Sequence, residues 1–137
     1  MRAASTERSA RRSLWADAAY CGLSGIGFIA LAGRVARALE LPRPLVRAVG
    51  VATLGWSAAL VCMARASAWR PWLVVVTTAN AIAAVGLAAF AITRRNRRVG
   101  AGVALAATEV GGFALVQALL LRRSSSSSED EVQQPPS

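Results

Sequence analysis

The chain has 137 residues, of which 55% are hydrophobic and 17% charged, and its formal net charge is +9 at pH 7. This length suffices for one compact unit, and the apolar excess is typical of membrane proteins. All 16 basic residues are arginine, and they stand in short clusters between apolar runs. That placement argues against a nucleic-acid partner, because arginine clusters of this kind flank membrane-spanning helices and meet anionic lipid headgroups.

The composition also argues against a metal or haem site. The chain has no histidine, and its two cysteines, Cys21 and Cys62, lie inside apolar runs and form no C-x-x-C pair. We therefore predict no cofactor, and we interpret both cysteines as small buried apolar residues.

The first apolar segment is preceded by a basic leader. Residues 1–12 carry four arginines and no apolar run, which predicts a disordered N-terminus at the membrane surface. Residues 13–33 form the first predicted span, with Asp17 near its entrance, and small residues such as Gly22 and Gly25 favour close contact with another helix. Alternatively, residues 1–32 are a signal peptide cleaved after the tripeptide Ala30-Leu31-Ala32, a question that a mass measurement decides.

A short amphipathic piece follows between residues 33 and 44. Arg34 and Arg37 lie on one of its faces and apolar residues on the other, which predicts an interfacial helix that Pro42 ends. Residues 45–63 form the second predicted span. Arg47 lies in its first turn, where a guanidinium reaches the headgroups. Arg34, Arg37 and Arg47 are therefore the candidate interfacial basic residues.

The third predicted span, residues 72–92, is the clearest of the four. Its 21 residues contain no formal charge. As a helix it would be about 32 Å long, which matches the hydrocarbon core of a bilayer. Asn80 and Thr77 are among its few polar side chains.

The fourth predicted span covers residues 99–121, after a basic turn at 93–98. Gly100, Ala104, Thr108 and Gly112 recur every four residues and predict a smooth seam for a neighbouring helix. The four-helix membrane domain thus covers residues 13–123. Residues 124–137, which are rich in serine and acidic residues, are predicted to be a disordered tail.

Several short segments carry a resemblance to a family. They are LELP at 39–42, LVRAVG at 45–50, Asn80, and FALVQ at 113–117. Together they resemble small uncharacterised four-helix integral membrane proteins of GC-rich bacteria, which implies a four-helix membrane fold and carries over no activity. Glu109 and the basic turn at 93–98 depart from the apolar pattern of that family. The predicted fold is all-α: a four-transmembrane-helix bundle with a short interfacial helix between the first two spans.

Glu109 is the strongest candidate for a functional residue, because it lies near the middle of the fourth span. A charged acid there costs about 2.5–3.5 kcal/mol, so it should face protein or water. Helices three and four run antiparallel across a tight turn, and counting residues from that turn puts Asn80 at a similar depth. We therefore predict an intramembrane polar site of Glu109, Asn80, Thr77 and Thr108. Its role is either to bond the third and fourth helices together, which we favour, or to couple an ion or a proton. Asp17 is expected to meet Arg65 or Arg122, and Gln117 to be local glue between helices.

The orientation is weakly specified, because each side of the membrane receives eight arginines. We expect both termini in the cytoplasm of a bacterial cell, with a multi-pass protein in the inner membrane, since a charged tail is easier to leave untranslocated.

Two classes of function remain open. The first is a non-enzymatic integral membrane protein with a structural or interaction role, whose partner is a second copy or another membrane protein. The second is a small proton- or cation-coupled transporter or channel that uses Glu109. No nucleophile–base pair, metal cluster or phosphate loop points to an enzyme.

Overall fold

The computed structural model describes residues 2–132, with side chains from residue 5 to residue 124. This part of the chain is all-α and contains no strand. Its five helices are α1 (Arg2–Ala30), α2 (Ala32–Leu39), α3 (Arg43–Arg65), α4 (Trp69–Ile92) and α5 (Arg97–Val132).

Three of these helices are long and apolar enough to cross a membrane. They are α3, α4 and the segment Arg97–Ser124 of α5. A fourth crossing is added if Ser5–Ala30 and Ala32–Leu39 count together as one span, although the two are bent by 87° at the break between them. The helices are therefore compatible with a multi-pass membrane protein that has three or four spans.

Helices α1 and α3 form an antiparallel pair, which we call the first hairpin. Their backbones come closest at Gly25 and Gly50, where a Cβ on Gly25 would lie 2.9 Å from the Gly50 carbonyl oxygen. Towards the start of α1, the Ser57 hydroxyl donates a hydrogen bond to the Ala18 carbonyl (2.7 Å). The small residues of the first apolar segment thus permit close helix packing, as residues without large side chains do in lipid.

Helices α4 and α5 form the second hairpin. Asn96 precedes α5, and its side-chain oxygen accepts hydrogen bonds from the backbone N–H groups of Arg98 (3.0 Å) and Val99 (3.4 Å). This is an N-cap, which supplies acceptors to N–H groups that have no partner within the helix. A Cβ on Gly100 would lie 3.1 Å from the Ala91 carbonyl oxygen, so the two helices are in close contact beside the turn.

The short helix α2 packs on the start of α3. Its buried residues Ala32 and Ala36 contact Val46. Glu40 ends the helix with φ at 54°, in the left-handed region, and its N–H bonds the Ala36 carbonyl. Pro42 then caps α3, where its missing N–H is not needed. Pro44 lies in the first turn of α3, so both prolines mark the start of that helix.

The two hairpins share a core at only one end of the bundle. The buried residues of this core come from all four long helices and include Leu14, Leu60, Leu73, Val76 and Leu120. Within the described chain, the buried residues of the other apolar cluster come from α2 and α3, with Phe28 of α1 packed against them, and none comes from the second hairpin. The hairpins are thus tightly packed where α1 begins and α3 ends, and less so at the end that carries α2.

Large apolar side chains face outward along the helices. Ile82 on α4 is 68% exposed, Val85 71% and Leu23 on α1 74%. An exposed apolar surface of this extent marks contact with a membrane or another protein.

The N-terminal residues differ from the sequence-based prediction of disorder at 1–12, since α1 begins at Arg2. Ala10 is fully buried in the shared core, and the Arg11 guanidinium donates to the Ala64 carbonyl at the end of α3 (2.6 Å). Glu7 and Arg11, four residues apart, form an ion pair at 2.9 Å. These contacts, together with the ion pair between residues four positions apart, stabilise the start of α1. The absence of an apolar run had predicted no helix there.

The start of the predicted disordered tail at 124–137 is helical in backbone, because α5 continues to Val132. Extending an existing helix adds one hydrogen bond per residue with no nucleation cost. Residues 133–137 lie outside the described residues.

The predicted small-residue seam on the fourth span does not contact another helix along its length. Only Gly100 faces α4, whereas Ala104, Thr108 and Gly112 are exposed on the outer side of α5.

The close contact of α1 and α3 generates a prediction with an internal control. Gly25→Leu places side-chain atoms against the backbone of Gly50, so we expect it to lower the free energy of unfolding by about 1–3 kcal/mol. At Gly27, two residues away, an added Cβ meets nothing within 4 Å, so we expect Gly27→Leu to leave stability unchanged. Unfolding in mild detergent, followed by circular dichroism, measures both. Equal effects of the two substitutions would contradict this packing.

Candidate functional site

Three polar side chains from three helices meet inside the bundle. Asp17 comes from α1, Asn80 from α4 and Gln117 from α5, and we call them the polar cluster. Asn80 Nδ2 donates to Asp17 Oδ2 at 2.6 Å, and Gln117 Nε2 donates to the same oxygen at 3.2 Å. Asn80 Nδ2 also lies 3.3 Å from Gln117 Oε1. One carboxylate oxygen of the first hairpin therefore receives hydrogen bonds from both helices of the second hairpin.

The polar cluster is almost completely buried. The exposed fraction is 2% for Asp17, 6% for Asn80 and 0% for Gln117. Asp17 lies five residues after Arg12, and Gln117 lies five residues before Arg122. At the rise of an α-helix, the cluster is about 7.5 Å inside the nearest arginines. It sits directly beside the shared core, at the tightly packed end of the bundle.

The second oxygen of the Asp17 carboxylate has a weaker partner. Cys21 Sγ donates to Asp17 Oδ1 at 3.6 Å, and a thiol is a weak hydrogen-bond donor. No arginine lies within ion-pair distance of Asp17 in the described chain. Arg11, on the same helix, bonds Glu7 and the Ala64 carbonyl instead. The carboxylate is thus buried and hydrogen-bonded, but its charge is not balanced by a basic side chain.

A cavity of about 730 Å³ begins at the polar cluster and continues between the hairpins. We call it the central cavity. All four long helices line it, and most of its wall is apolar. Asp17, Asn80, Thr53 and Ser24 supply polar groups, and Tyr20, Phe28 and Trp56 supply aromatic rings. It exists because the hairpins share their core at one end only.

Glu109 lies away from the polar cluster, on the outer side of α5. It is exposed, and its Oε2 accepts a hydrogen bond from Tyr20 Oη at 2.7 Å. The Tyr20 ring also packs on Phe113, with 5.7 Å between ring centroids. Glu109 therefore joins α1 to α5 at the surface, beside a groove of about 670 Å³ that Arg12 also lines.

The predicted hydrogen bond between Asn80 and Glu109 is not formed, because the side chains of the two residues bond other partners. Counting from the turn gave the depth of each residue but not the stagger of the two helices. Gly111 faces Ala84 across the hairpin, so Glu109 lies beyond Ala84 in the direction of the turn, while Asn80 meets Gln117.

Thr77 and Thr108 each donate to a carbonyl of their own helix, Leu73 (2.6 Å) and Ala104 (3.0 Å).

The role of Asp17 was not predicted, and Gln117 was predicted as local glue between helices but not as a partner of Asp17 and Asn80. Asp17 was expected to meet Arg65 or Arg122, but the Arg65 guanidinium lies over the Trp15 ring, 5.4 Å from its centroid. One signal was present in the sequence: three of the four predicted spans each carry a carboxyl or amide side chain that falls on the same side of the membrane midplane as the termini.

The three interfacial basic candidates, Arg34, Arg37 and Arg47, are exposed and lie on α2 and the start of α3. Arg94, from the turn of the second hairpin, joins the same end of the bundle. Its guanidinium donates to the Leu39 carbonyl at 3.0 Å and lies 4.0 Å from the centroid of the Phe90 ring. This end is therefore basic, and a hydrogen bond links the turn of the second hairpin to the end of α2.

The cysteines differ from their predicted burial. Cys62 is exposed on α3, and Cys21 is half-buried, with its thiol directed to Asp17. Among the described residues, no group of three or more Cys, Asp or Glu side chains is placed to hold a metal ion.

No protein-family model matches the chain, and neither a curated protein nor a solved structure matches it.

The hydrogen bonds of Asn80 predict a pattern of energetic coupling. A double-mutant cycle of Asp17→Leu with Asn80→Leu should give a coupling energy of about 0.5–3 kcal/mol, because the two side chains share a buried hydrogen bond. A cycle of Glu109→Leu with Asn80→Leu should be additive within about 0.5 kcal/mol. Thr77→Val on the same helix is the matched single control, since its hydroxyl bonds only its own backbone. Unfolding in detergent measures the free energy of each variant. If Asn80 were coupled to Glu109 and not to Asp17, the hydrogen bonds of the polar cluster would be refuted.

Proposed function

We propose that the protein is a non-enzymatic integral membrane protein of four spans with an interaction role. The observation that carries this proposal is the inversion of polarity in the bundle: apolar side chains such as Ile82 and Val85 face outward, while Asp17, Asn80 and Gln117 are buried. Lipid around the helices accounts for both features, because it solvates apolar surface and forces polar groups to bond inside the protein.

The fourth span in this proposal is α1. Its support is the hydrogen bond from Arg11 to the Ala64 carbonyl, which joins the start of α1 to the end of α3. The 87° bend at the end of α1 then directs α2 along the membrane surface as an interfacial helix. Arg34, Arg37 and Arg47 are proposed to meet anionic headgroups there.

The cellular location and the orientation of the chain are proposed from the sequence. We propose the inner membrane of a bacterial cell, with both termini in the cytoplasm, where the charged tail at 124–137 does not have to cross the bilayer. The resemblance to small four-helix bacterial membrane proteins supports the same architecture.

Four spans predict a specific labelling pattern. In a background of Cys21→Ala and Cys62→Ala, single cysteines at Ser5 and Ser67 should react with an impermeant maleimide from the same side of the membrane. A cysteine at Asn96 should react from the opposite side. If α1 and α2 instead formed a re-entrant segment, Ser5 and Ser67 would label from opposite sides. Intact and inverted vesicles distinguish these patterns and also give the orientation.

An interaction role needs a surface, and the outer side of α5 is the best candidate. Ala104, Thr108 and Gly112 are exposed there, and Glu109 lies beside them with Tyr20 as its hydrogen-bond partner. Small residues let helices pack closely in lipid, and an acid facing lipid is costly. We propose that a second copy of the chain covers this face.

Contact through α5 predicts selective cross-linking. In the same cysteine-free background, Gly112→Cys should form an intermolecular disulfide in native membranes under mild oxidation. Ile82→Cys on α4, which is exposed but lies on another face, should stay monomeric. Gel mobility without reductant reads the result, and equal cross-linking of the two variants would contradict an interface on α5.

A second function, a small proton- or cation-coupled transporter, is favoured by one observation. The Asp17 carboxylate reaches a cavity between the hairpins and has no basic partner in the described chain. The coupling acid in this second proposal is Asp17, while Glu109 belongs to the outer surface.

A further inference from the structure

We propose that the central cavity is a binding site for a monovalent lipophilic organic cation, with Asp17 as its counter-ion. This inference deepens the second function proposed above and concerns the ligand of the same site. It rests on three properties of the cavity: its shape, its charge and its aromatic lining.

The shape of the central cavity fits a small organic molecule. Its volume of about 730 Å³ lies within the usual range for such sites, roughly 300–1,000 Å³. Val49 on α3 and Ala83 on α4 both line the cavity and are exposed. The cavity is therefore accessible between α3 and α4, at the side where the hairpins are less tightly packed.

The charge of the central cavity comes from Asp17 alone. Glu109 does not line it, and no basic side chain of the described residues does. The Asp17 side chain is 2% exposed, and a buried charge without a partner of opposite charge is costly. A cation in the cavity would balance this charge, whereas an anion would add to the repulsion.

Hydrogen bonding leaves one side of the carboxylate available. Asn80 and Gln117 both donate to Oδ2, so this oxygen faces the two amides. Oδ1 receives only the distant Cys21 thiol, at 3.6 Å. The amides thus hold the carboxylate in place through Oδ2, and Oδ1 keeps the greater capacity to accept a further hydrogen bond or a cation.

The aromatic and apolar lining selects the kind of cation. Tyr20, Phe28 and Trp56 line the cavity, and aromatic faces attract organic cations. The remaining wall offers few oxygen ligands, and the described residues contain no cluster suited to a metal ion. An ion with an apolar body covers this wall as well as the charge, and one carboxylate balances one positive charge.

Tetraphenylphosphonium and tetraphenylborate test this proposal, because they have nearly the same shape and opposite charge. We expect the purified protein in mild detergent to bind the phosphonium ion in equilibrium dialysis and to bind the borate at least about tenfold more weakly. Asp17→Asn, which keeps the size of the side chain, should weaken phosphonium binding by at least about tenfold. Glu109→Gln is the matched control and should bind as the unaltered protein does.

A second variant keeps the test decisive if Asp17→Asn does not fold. Gly86 lines the central cavity, no atom lies within 4 Å of a Cβ added there, and Gly86 is not a member of the polar cluster, so Gly86→Phe is designed to occupy the cavity. We expect it to lose phosphonium binding while its helix content and unfolding temperature are retained. Gly102→Phe, which is equally free of contacts and does not line the cavity, should bind normally.

The proposal is overturned if the unaltered protein fails to bind the phosphonium ion. It is also overturned if the borate binds equally well, which would indicate an apolar groove for lipid chains, or if Gly86→Phe binds unchanged. Transport is a separate question. Binding without any movement of the cation across reconstituted vesicles would refute the transporter and leave the binding site standing.

Discussion

The Asp17 carboxylate constrains the rest of the bundle, because a buried acid must find hydrogen-bond donors within the protein. The donors come from α4 and α5, while Asp17 itself comes from α1. The first hairpin is therefore joined to the second by a bond that neither can make alone. Removing one partner would leave a buried polar group unsatisfied, which is expensive in lipid as it is in a protein core. The polar cluster thus fixes the depth at which the two hairpins meet.

The contacts within each hairpin differ in kind from the contacts between the two hairpins. Within each hairpin, close backbone approach dominates, as between Gly25 and Gly50 in the first. Between the hairpins, packing around Leu14, Leu60 and Leu73 is confined to the end where the polar cluster lies. At the opposite end, Arg94 reaches the Leu39 carbonyl. The central cavity lies between these two points of attachment, so its existence follows from how the hairpins are joined.

Much of the fold could be predicted from the sequence, because it depends on patterns along a single helix. The uncharged run at 72–92 and the prolines at 42 and 44 gave the position of α4 and the start of α3 to within a few residues. The helical leader could not be predicted in this way. Its stability comes from contacts of Ala10 and Arg11 with residues more than fifty positions away.

The site was harder to predict than the fold, because it depends on how helices are rotated and staggered. Asn80 was recognised as a residue that needs a partner, but depth alone favoured Glu109. A stagger of α5 against α4 brings Gln117 to Asn80 instead and leaves Glu109 at the outer surface beside Tyr20. Asp17, close to the arginines in sequence, was expected to pair with one. Its helix face directs it into the bundle, where amides satisfy it.

The side-chain amide protons of Asn80 test the central claim most directly. In nuclear Overhauser spectra of the isotope-labelled protein in detergent micelles, these protons should show cross-peaks to the β protons of Asp17 and to the side chain of Gln117. Cross-peaks to the side chain of Glu109, with none to Asp17, would contradict the account.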